Sequence, residues 1–227
     1  MFGIYIPANS AFFIHLQGLL YSMKGLLIQD HIVKIVDNGL TENQKNFIKK
    51  NYSSFINIEI TPKKTYTTSE RNAYKFKIDV IQMMIDDNYE YAMNMDCKNH
   101  LKINLAKIMD EVKKKKILCN ISGEIYEHQY THPKAFITMN VNDNDKIKNS
   151  WQIQAGNIAY HLPQALDIMK EIVKYGNDPF ALYPPGSDLS NHRQDQSVCS
   201  VILKKNNIEP SGLFYATVHN TIVKDIN

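Results

Sequence analysis

The first half of this chain alternates short apolar runs with longer segments in which apolar residues recur every three or four positions. Phe2–Ile6 and His31–Val36 are apolar runs typical of buried strands, and residues 12–23 between them have the apolar spacing of a helix. The alternation continues to about residue 120. Strands that alternate with helices imply a mostly parallel central sheet flanked by helices on both faces. We therefore predict one α/β domain over residues 1–227.

Turn and cap residues separate the predicted elements. Asp37-Asn38-Gly39 is a turn signal, and the following Thr41-Glu42-Asn43-Gln44 has the form of a capping box at a helix start. The apolar spacing predicts further strands over 55–60, 91–95, 117–121, 156–160 and 213–218, and helices over 72–87, 101–112, 163–175 and 194–205.

Charge, cysteine content and hydropathy exclude several classes of protein. The chain has 26 Lys and Arg against 23 Asp and Glu, and a net charge of +3 gives no reason to expect a nucleic-acid partner. Its three cysteines are far apart, which favours a reducing compartment, and we expect a cytoplasmic protein. The first twenty residues lack the pattern of a signal peptide, so we expect none. No uninterrupted apolar run of about 18 residues occurs, so we expect no membrane span. The run Lys113–Lys116 has two interpretations, a solvated surface or peripheral contact with acidic lipid.

The candidate functional residues follow predicted strands, because ligands of open α/β sheets bind outside the carboxyl ends of the strands. Asp96 follows the strand over 91–95, where its carboxylate is suited to a Mg²⁺ or Mn²⁺ ion or else to capping the next helix. His219 follows the last strand, as a second metal ligand or as a surface histidine.

Three polar segments add candidates, each with a structural alternative. Gln152 and Gln154 precede Ala155-Gly156. Their amides are suited to sugar hydroxyls, and the small residues allow close backbone approach; the alternative is a polar loop with a glycine at its turn. Asp195 is suited to positioning a substrate hydroxyl, or it is an ordinary first-turn acid that the helix dipole stabilises. Arg71, with Lys75 and Lys77 after it, would neutralise a leaving phosphate or form a solvated basic face.

In their order along the chain, these segments resemble the nucleotide-sugar-dependent glycosyltransferases of the GT-A fold, from about residue 2 to 221. Residues 35–44 resemble a strand and its D-x-G-L-[ST]-x-x-Q turn, and Asn94-Met95-Asp96 resembles the D-x-D metal motif with Asn94 in place of the first Asp. Residues 154–157 resemble the [QN]-[SA]-G segment, and Asp195-Gln196 matches the D-Q that follows it. His219 falls where several retaining members carry a metal-binding histidine.

The resemblance implies a GT-A-like domain with a Rossmann-like sheet, and it implies roles for individual residues. It implies catalytic roles for Asp195, Gln154 and Arg71, and metal ligation by Asp96, His219 and Asn94. The residues implied in donor binding are Pro7, Ala8, Asn9, Arg71, Lys75, Asn94, Met95, Asp96, Gln152, Ala155, Gly156 and Gln196.

The implied activity is transfer of a sugar from a nucleotide-diphosphate sugar, with UDP-sugars favoured, to a glycan or glycoprotein acceptor. It would depend on Mn²⁺ or Mg²⁺. No second carboxylate is clearly placed as a base for inversion, which favours retention, although Asp195 or Asp188 remains open as that base. The alternative is a catalytically silent nucleotide- or carbohydrate-binding domain of the same fold, because Asn94 replaces an aspartate. The relatives suggested build bacterial surface glycans or glycosylate large-virus capsids, and the latter would work in the host cytoplasm.

Overall fold

A computed structural model describes residues 1–212 and 216–218 of the chain. Its strands are β1 (Phe2–Ala8), β2 (His31–Asp37), β3 (Ile58–Ile60), β4 (Tyr91–Met95), β5 (Asn99–Leu101), β6 (Ile117–Leu118), β7 (Ile121–Tyr126), β8 (Trp151–Ile153), β9 (Asn157–His161) and β10 (Ala216–Val218). Its helices are α1 (Phe13–Ser22), α2 (Glu42–Tyr52), α3 (Thr68–Asn72), α4 (Lys75–Asp87), α5 (Leu105–Lys115), α6 (Glu127–Tyr130), α7 (Pro133–Thr138), α8 (Asp145–Lys148), α9 (Leu162–Gly176), α10 (Pro179–Leu182) and α11 (Gln194–Lys205), with a short 3₁₀ turn at Ser10–Phe12.

The central sheet has six strands in the order β3-β2-β1-β4-β9-β6. The first four run parallel to their neighbours, whereas β9 pairs antiparallel with both β4 and β6. The prediction of a mostly parallel sheet is therefore confirmed. Two smaller two-stranded sheets, β10-β5 and β7-β8, accompany it.

The side chains of β1 alternate between the two hydrophobic cores. Ile4 and Ile6 pack into one core, with residues of α1, α2 and α5, and Tyr5 packs into the other, with residues of α4, α9 and α11. Successive side chains of a strand point to opposite faces, so a strand that is apolar throughout needs a helical layer on each side. The predicted helices on both faces are confirmed.

Several element boundaries differ from the sequence prediction. The helix predicted over 72–87 begins instead at Lys75, because the φ of 54° at Tyr74 lies in the left-handed region and separates it from α3. The helix predicted to begin at residue 101 begins at Leu105, because residues 99–101 form β5 and pair with β10. Of the strand predicted over 213–218, residues 216–218 are extended and 213–215 lie outside the described residues. Within the residues that the structure describes, every helix is too short or too polar to cross a bilayer.

Candidate active site

A cleft of about 850 Å³ opens at the carboxyl ends of β1, β2 and β4. Because these three strands are parallel neighbours, the residues that follow them meet at one edge of the sheet. The volume is within the range of small-molecule sites, ~300–1,000 Å³. The lining residues are Pro7, Ala8, Asn9, Ser10, Ala11, Phe12, Asn38, Gly39, Lys63, Lys64, Thr65, Tyr66, Arg71, Tyr74, Phe76, Lys77, Asp96, Cys97, Lys98, Gln154, Gly156, Leu189, Arg193, Gln194, Asp195 and Gln196.

Two turns shape the wall of the cleft after β1 and β2. Asn9 caps the 3₁₀ turn through Oδ1, which accepts from the backbone N–H groups of Ala11 and Phe12. Asp37 holds the second turn through Oδ1, which accepts from the backbone N–H groups of Gly39 at 2.8 Å and Leu40 at 2.7 Å. Local side-chain bonds of this kind are why Asn and Asp favour caps and turns. Backbone bonds hold the two segments side by side, since the N–H of Ser10 donates to the carbonyl of Gly39 at 3.1 Å and the N–H of Asn38 donates to the carbonyl of Ala8 at 2.8 Å.

A buried ion pair stabilises the second of these turns. Lys45 lies 2.7 Å from Asp37 Oδ2. Burial of the carboxylate raises the pKa of Asp37, but hydrogen bonds from Lys45 and from the backbone of the turn outweigh it and lower that pKa overall. Asp37 therefore stays ionised and serves the structure of the turn, since its carboxylate points into the protein and is not exposed.

Asp96 is held against the segment before β9 by backbone and side-chain contacts. Its backbone N–H donates to the carbonyl of Gly156 at 2.7 Å, and Asn94 Nδ2 donates to the carbonyl of Ala155 at 2.8 Å. A Cβ placed on Gly156 would lie 2.8 Å from Asp96 Oδ2, closer than real contacts allow. Glycine is thus required at position 156 for the carboxylate to occupy its place in the cleft.

Lys77 lies between the two carboxylates of the cleft. Its Nζ is 2.9 Å from Asp96 Oδ2 and 3.6 Å from Asp195 Oδ2. Burial lowers the pKa of Lys77, but the two carboxylates outweigh this and raise it overall, so the ammonium stays charged. Burial raises the pKa of Asp195 to about 6, with Lys77 opposing the shift and Asp96 adding to it. The cleft therefore holds a fixed positive charge between two acids of unequal exposure, Asp96 being 34% exposed and Asp195 7%.

Cations line the rim of the cleft. Arg71 donates to the backbone carbonyl of Tyr66 at 3.2 Å, Lys98 lies 5.0 Å from the ring centre of Phe12, and Arg193 lies 4.4 Å from the ring centre of Tyr130. The other lining cations are Lys63 and Lys64. Guanidinium and ammonium groups arranged in this way are suited to a polyanion such as a diphosphate.

Gln194 contributes an acceptor at the start of α11. The residue has a φ of 40°, and it is 7% exposed. Its Oε1 is buried without a hydrogen-bond partner among the residues that the structure describes. A strained backbone and an unsatisfied buried carbonyl at a cleft wall are typical of a ligand contact.

The cleft brings together most of the residues that the sequence singled out. The predicted residues that line it are Pro7, Ala8, Asn9, Arg71, Asp96, Gln154, Gly156, Asp195 and Gln196. Asn94, Met95, Gln152 and Ala155 lie behind its wall, and Lys75 is not a lining residue. Lys75 pairs with Asp79, a carboxylate that also pairs with the lining Lys64. Met95 and Gln152 have no exposed surface, since both side chains face the interior. His219 lies outside the described residues.

The structure adds lining residues that sequence reasoning missed. Lys63 and Lys64 follow β3, a parallel neighbour of β2, so applying the strand-end rule to that strand would have found them. Tyr66 and Tyr74 come from segments whose path the sequence pattern does not reveal.

A divalent cation would find few protein ligands here. Among the described residues, no three His, Cys, Asp or Glu side chains are grouped as a metal site. Asp96 nevertheless presents a partly exposed carboxylate, and Mg²⁺ is often held by one or two carboxylates with water and substrate phosphates as its other ligands. The residues present fit an ion that binds together with a diphosphate.

No protein-family model matches the sequence, and no curated protein does. Solved structures do match. WbbM, a bifunctional glycosyltransferase in its apo form, aligns with a TM-score of 0.60 at 12% identity over 88% of this chain and 37% of its own. Mouse xyloside xylosyltransferase 1, in its apo form, aligns with a TM-score of 0.56 at 11% identity over 93% of this chain and 84% of its own.

The galactosyltransferase LgtC also aligns, in a structure with donor and acceptor sugar analogues. Its TM-score is 0.54 at 12% identity, over 88% of this chain and 70% of its own. The chain thus spans only 37% of the length of WbbM but most of the other two. At such low identity the likeness concerns the fold, which is that of the GT-A glycosyltransferases.

Proposed function

We propose that this chain, which has the GT-A fold, transfers a sugar from a nucleotide-diphosphate sugar, with UDP-sugars favoured, to a hydroxyl of a glycan or glycoprotein. The observation that carries the proposal is the arrangement of Asp96, Lys77 and Asp195 at the carboxyl ends of the parallel strands, facing a cleft with a cationic rim. Fold alone supports many activities, so the argument depends on these side chains.

The chemistry needs two kinds of group, and the cleft has both. The bond between the anomeric carbon and the diphosphate oxygen breaks, so negative charge grows on the departing diphosphate while the sugar becomes positive. Arg71 and the lysines of the rim are placed to stabilise the first charge. Gln154, Gln194 and Asp195 offer acceptors for sugar hydroxyls, and such bonds strengthen as the ring flattens.

A divalent cation is part of the proposal. Asp96 would hold the ion, and His219 is a further ligand predicted from sequence. Asn94, the third predicted ligand, lies behind the cleft wall. When bound, Mn²⁺ or Mg²⁺ supplies Lewis-acid stabilisation of the diphosphate. Lys77 keeps the carboxylate of Asp96 oriented towards the cleft, because its ammonium is 2.9 Å from Oδ2.

The carboxylates of the cleft favour retention of configuration. An inverting reaction needs a base that is free to take the acceptor proton. Asp195 is buried against Lys77, and Asp188 is not a lining residue: its carboxylate accepts from the backbone N–H and the hydroxyl of Ser190. We therefore propose a retaining reaction. The acceptor oxygen bonds to the anomeric carbon on the face that the diphosphate leaves, and the proton of the acceptor hydroxyl passes to the departing diphosphate.

The proposal is tested with a panel of UDP-, GDP-, CMP- and dTDP-sugars, each with Mn²⁺, with Mg²⁺ and with chelator. Thermal shift measures binding, because a ligand at 100 times its Kd stabilises the fold by ~2.7 kcal/mol. Release of nucleotide, with and without simple glycosides as acceptors, measures turnover. A metal-dependent shift with nucleotide release from one donor class is expected. No shift and no release with any donor would overturn the proposal.

The second candidate is a catalytically silent binding domain, favoured by one observation. Asn94 stands in the place of an acid, and its Oδ1 is buried without a partner among the described residues. This candidate expects a thermal shift that chelator does not change and no nucleotide release in any mixture. The same panel therefore separates the two functions.

A further inference from the structure

A buried polar network lies behind the cleft wall, centred on Glu127 at the start of α6. Glu127 has no exposed surface, and it accepts from Lys204 Nζ at 2.8 Å, from Thr131 Oγ1 at 2.8 Å and from the hydroxyl of Ser200. An ionised carboxylate only accepts hydrogen bonds, and a buried one must be paired. The network thus places a fixed acceptor in the interior.

Gln152 on β8 connects this carboxylate with the cleft. Its Nε2 lies 3.3 Å from Glu127 Oε2 and 3.3 Å from Ser197 Oγ. Its Oε1 accepts from Gln196 Nε2 at 2.6 Å. Gln152 is fully buried, whereas Gln196 lines the cleft. The three side chains therefore form one chain of hydrogen bonds from the interior to the ligand space.

The direction of this chain follows from the charge of Glu127. Turning the amide of Gln152 over would set its carbonyl oxygen against a carboxylate and lose the bond from nitrogen, which is costly for buried groups. Gln152 must then direct Oε1 towards Gln196. Gln196 must therefore donate to Gln152 through its amide nitrogen. Its own carbonyl oxygen is then left as an acceptor for a ligand.

We propose that Glu127 and Gln152 are positioning residues that set the amide of Gln196 so that its carbonyl oxygen serves the cleft. The cleft thereby selects a ligand group that donates a hydrogen bond, which for a sugar donor is a ring hydroxyl. The identity of that ligand rests on the proposed function, whereas the orientation of Gln196 does not.

The kinetic test is a double-mutant cycle with Gln152→Met and Gln196→Met. Methionine keeps the length of glutamine and removes its amide. Gln152→Met should lower kcat/KM for the donor by roughly two- to tenfold, the range of one hydrogen bond. In the Gln196→Met background it should cause no further loss, because it acts through Gln196 alone. Equal losses in both backgrounds would overturn the proposal.

The matched control is Gln82→Met on α4. The amide of Gln82 donates to Asp86 Oδ1 at 2.7 Å, outside the residues that line the cleft. The substitution is chemically the same and removes a side-chain hydrogen bond that lies outside the network. Its kcat/KM is expected to equal that of the wild type, and the melting temperatures of all variants show which losses come from unfolding.

A second arm needs no ligand and no turnover. In ¹⁵N-labelled protein the side-chain amide of Gln196 is assigned by its loss in Gln196→Met. One of its hydrogens bonds to Gln152, so it should exchange slowly with solvent, and Gln152→Met should accelerate that exchange roughly two- to tenfold. Unchanged exchange would overturn the proposal even if no donor were turned over.

Glu127 itself is tested with its cation removed. Glu127→Gln alone would leave Lys204 buried without its counter-charge, which can prevent folding. The double variant Glu127→Gln and Lys204→Met removes both charges together. Like Gln152→Met, the double variant should accelerate exchange of the Gln196 amide, because the amide of Gln152 then has no fixed orientation. Wild-type exchange in a folded double variant would remove Glu127 from the proposal.

Discussion

Replacing Asp195 by Asn tests the electrostatics of the cleft most directly. Asp195 is buried, and its carboxylate lies 3.6 Å from the ammonium of Lys77. Burial raises the pKa of Asp195 from 3.8 to about 6, and Lys77 reduces this shift without cancelling it. The variant keeps the shape of the side chain and removes the titration.

The sign and size of the effect follow from linkage. An acid whose pKa is higher in the folded protein contributes stability that is complete below pH ~4 and is lost as the pH rises through about 6. A shift of about two units corresponds to about 3 kcal/mol, at 1.36 kcal/mol for each unit. Between pH 4 and pH 7 the free energy of unfolding of the wild type should therefore fall by about 3 kcal/mol relative to that of Asp195→Asn.

Urea unfolding from pH 4 to 7.5, followed by the fluorescence of the single tryptophan, Trp151, measures this difference. Asp188→Asn is the matched control of opposite sign, because the hydroxyl of Ser190 lowers the pKa of Asp188. That variant should lose less stability than the wild type as the pH falls through the acid range. If the curves of the wild type and Asp195→Asn are parallel, the buried carboxylate does not titrate as the structure implies.

Three further substitutions test the cleft. Gly156→Ala should lower kcat/KM with little change in urea stability, because its methyl would meet Asp96 Oδ2 at 2.8 Å and displace a partly exposed carboxylate. A wild-type kcat/KM would contradict this close approach. Asp96→Ala should abolish metal-stimulated donor binding in the thermal-shift assay while circular dichroism stays unchanged, and retained stimulation would place the metal elsewhere. Arg71→Gln should raise KM for the donor by roughly tenfold, whereas Lys75→Gln should have a much smaller effect because Lys75 does not line the cleft. Equal effects would contradict the placement of Arg71 on the rim.

The central sheet and the edge that carries the site follow from local patterns in the sequence. Apolar runs indicate the strands, and the alternation with helices makes the first four parallel. Parallel strands end at a common edge, so residues as distant in sequence as Asn9 and Asp96 were expected together and line one cleft. The turn at Asp37-Asn38-Gly39 was also predictable, because its carboxylate bonds the backbone only two and three residues away.

The roles of neighbouring side chains depended on longer contacts. Lys75 and Lys77 are two residues apart on α4, so they face different directions. Where α4 begins decides which one enters the cleft, and the left-handed Tyr74 before it gives no signal in the apolar spacing. Gln152 and Gln154 likewise looked equivalent, yet Gln152 is drawn inward to Glu127, 25 residues earlier, while Gln154 lines the cleft.

The elements, their order and the edge of the sheet that carries the cleft could be predicted from sequence, because they depend on hydrophobic spacing and on side chains that bond nearby backbone. Which charges are buried together depends on tertiary contacts, and so does the hydrogen-bond chain that reaches Gln196. Desolvation and long-range pairing set the states of Lys77 and Asp195, and both depend on groups that the fold brings together from distant parts of the chain.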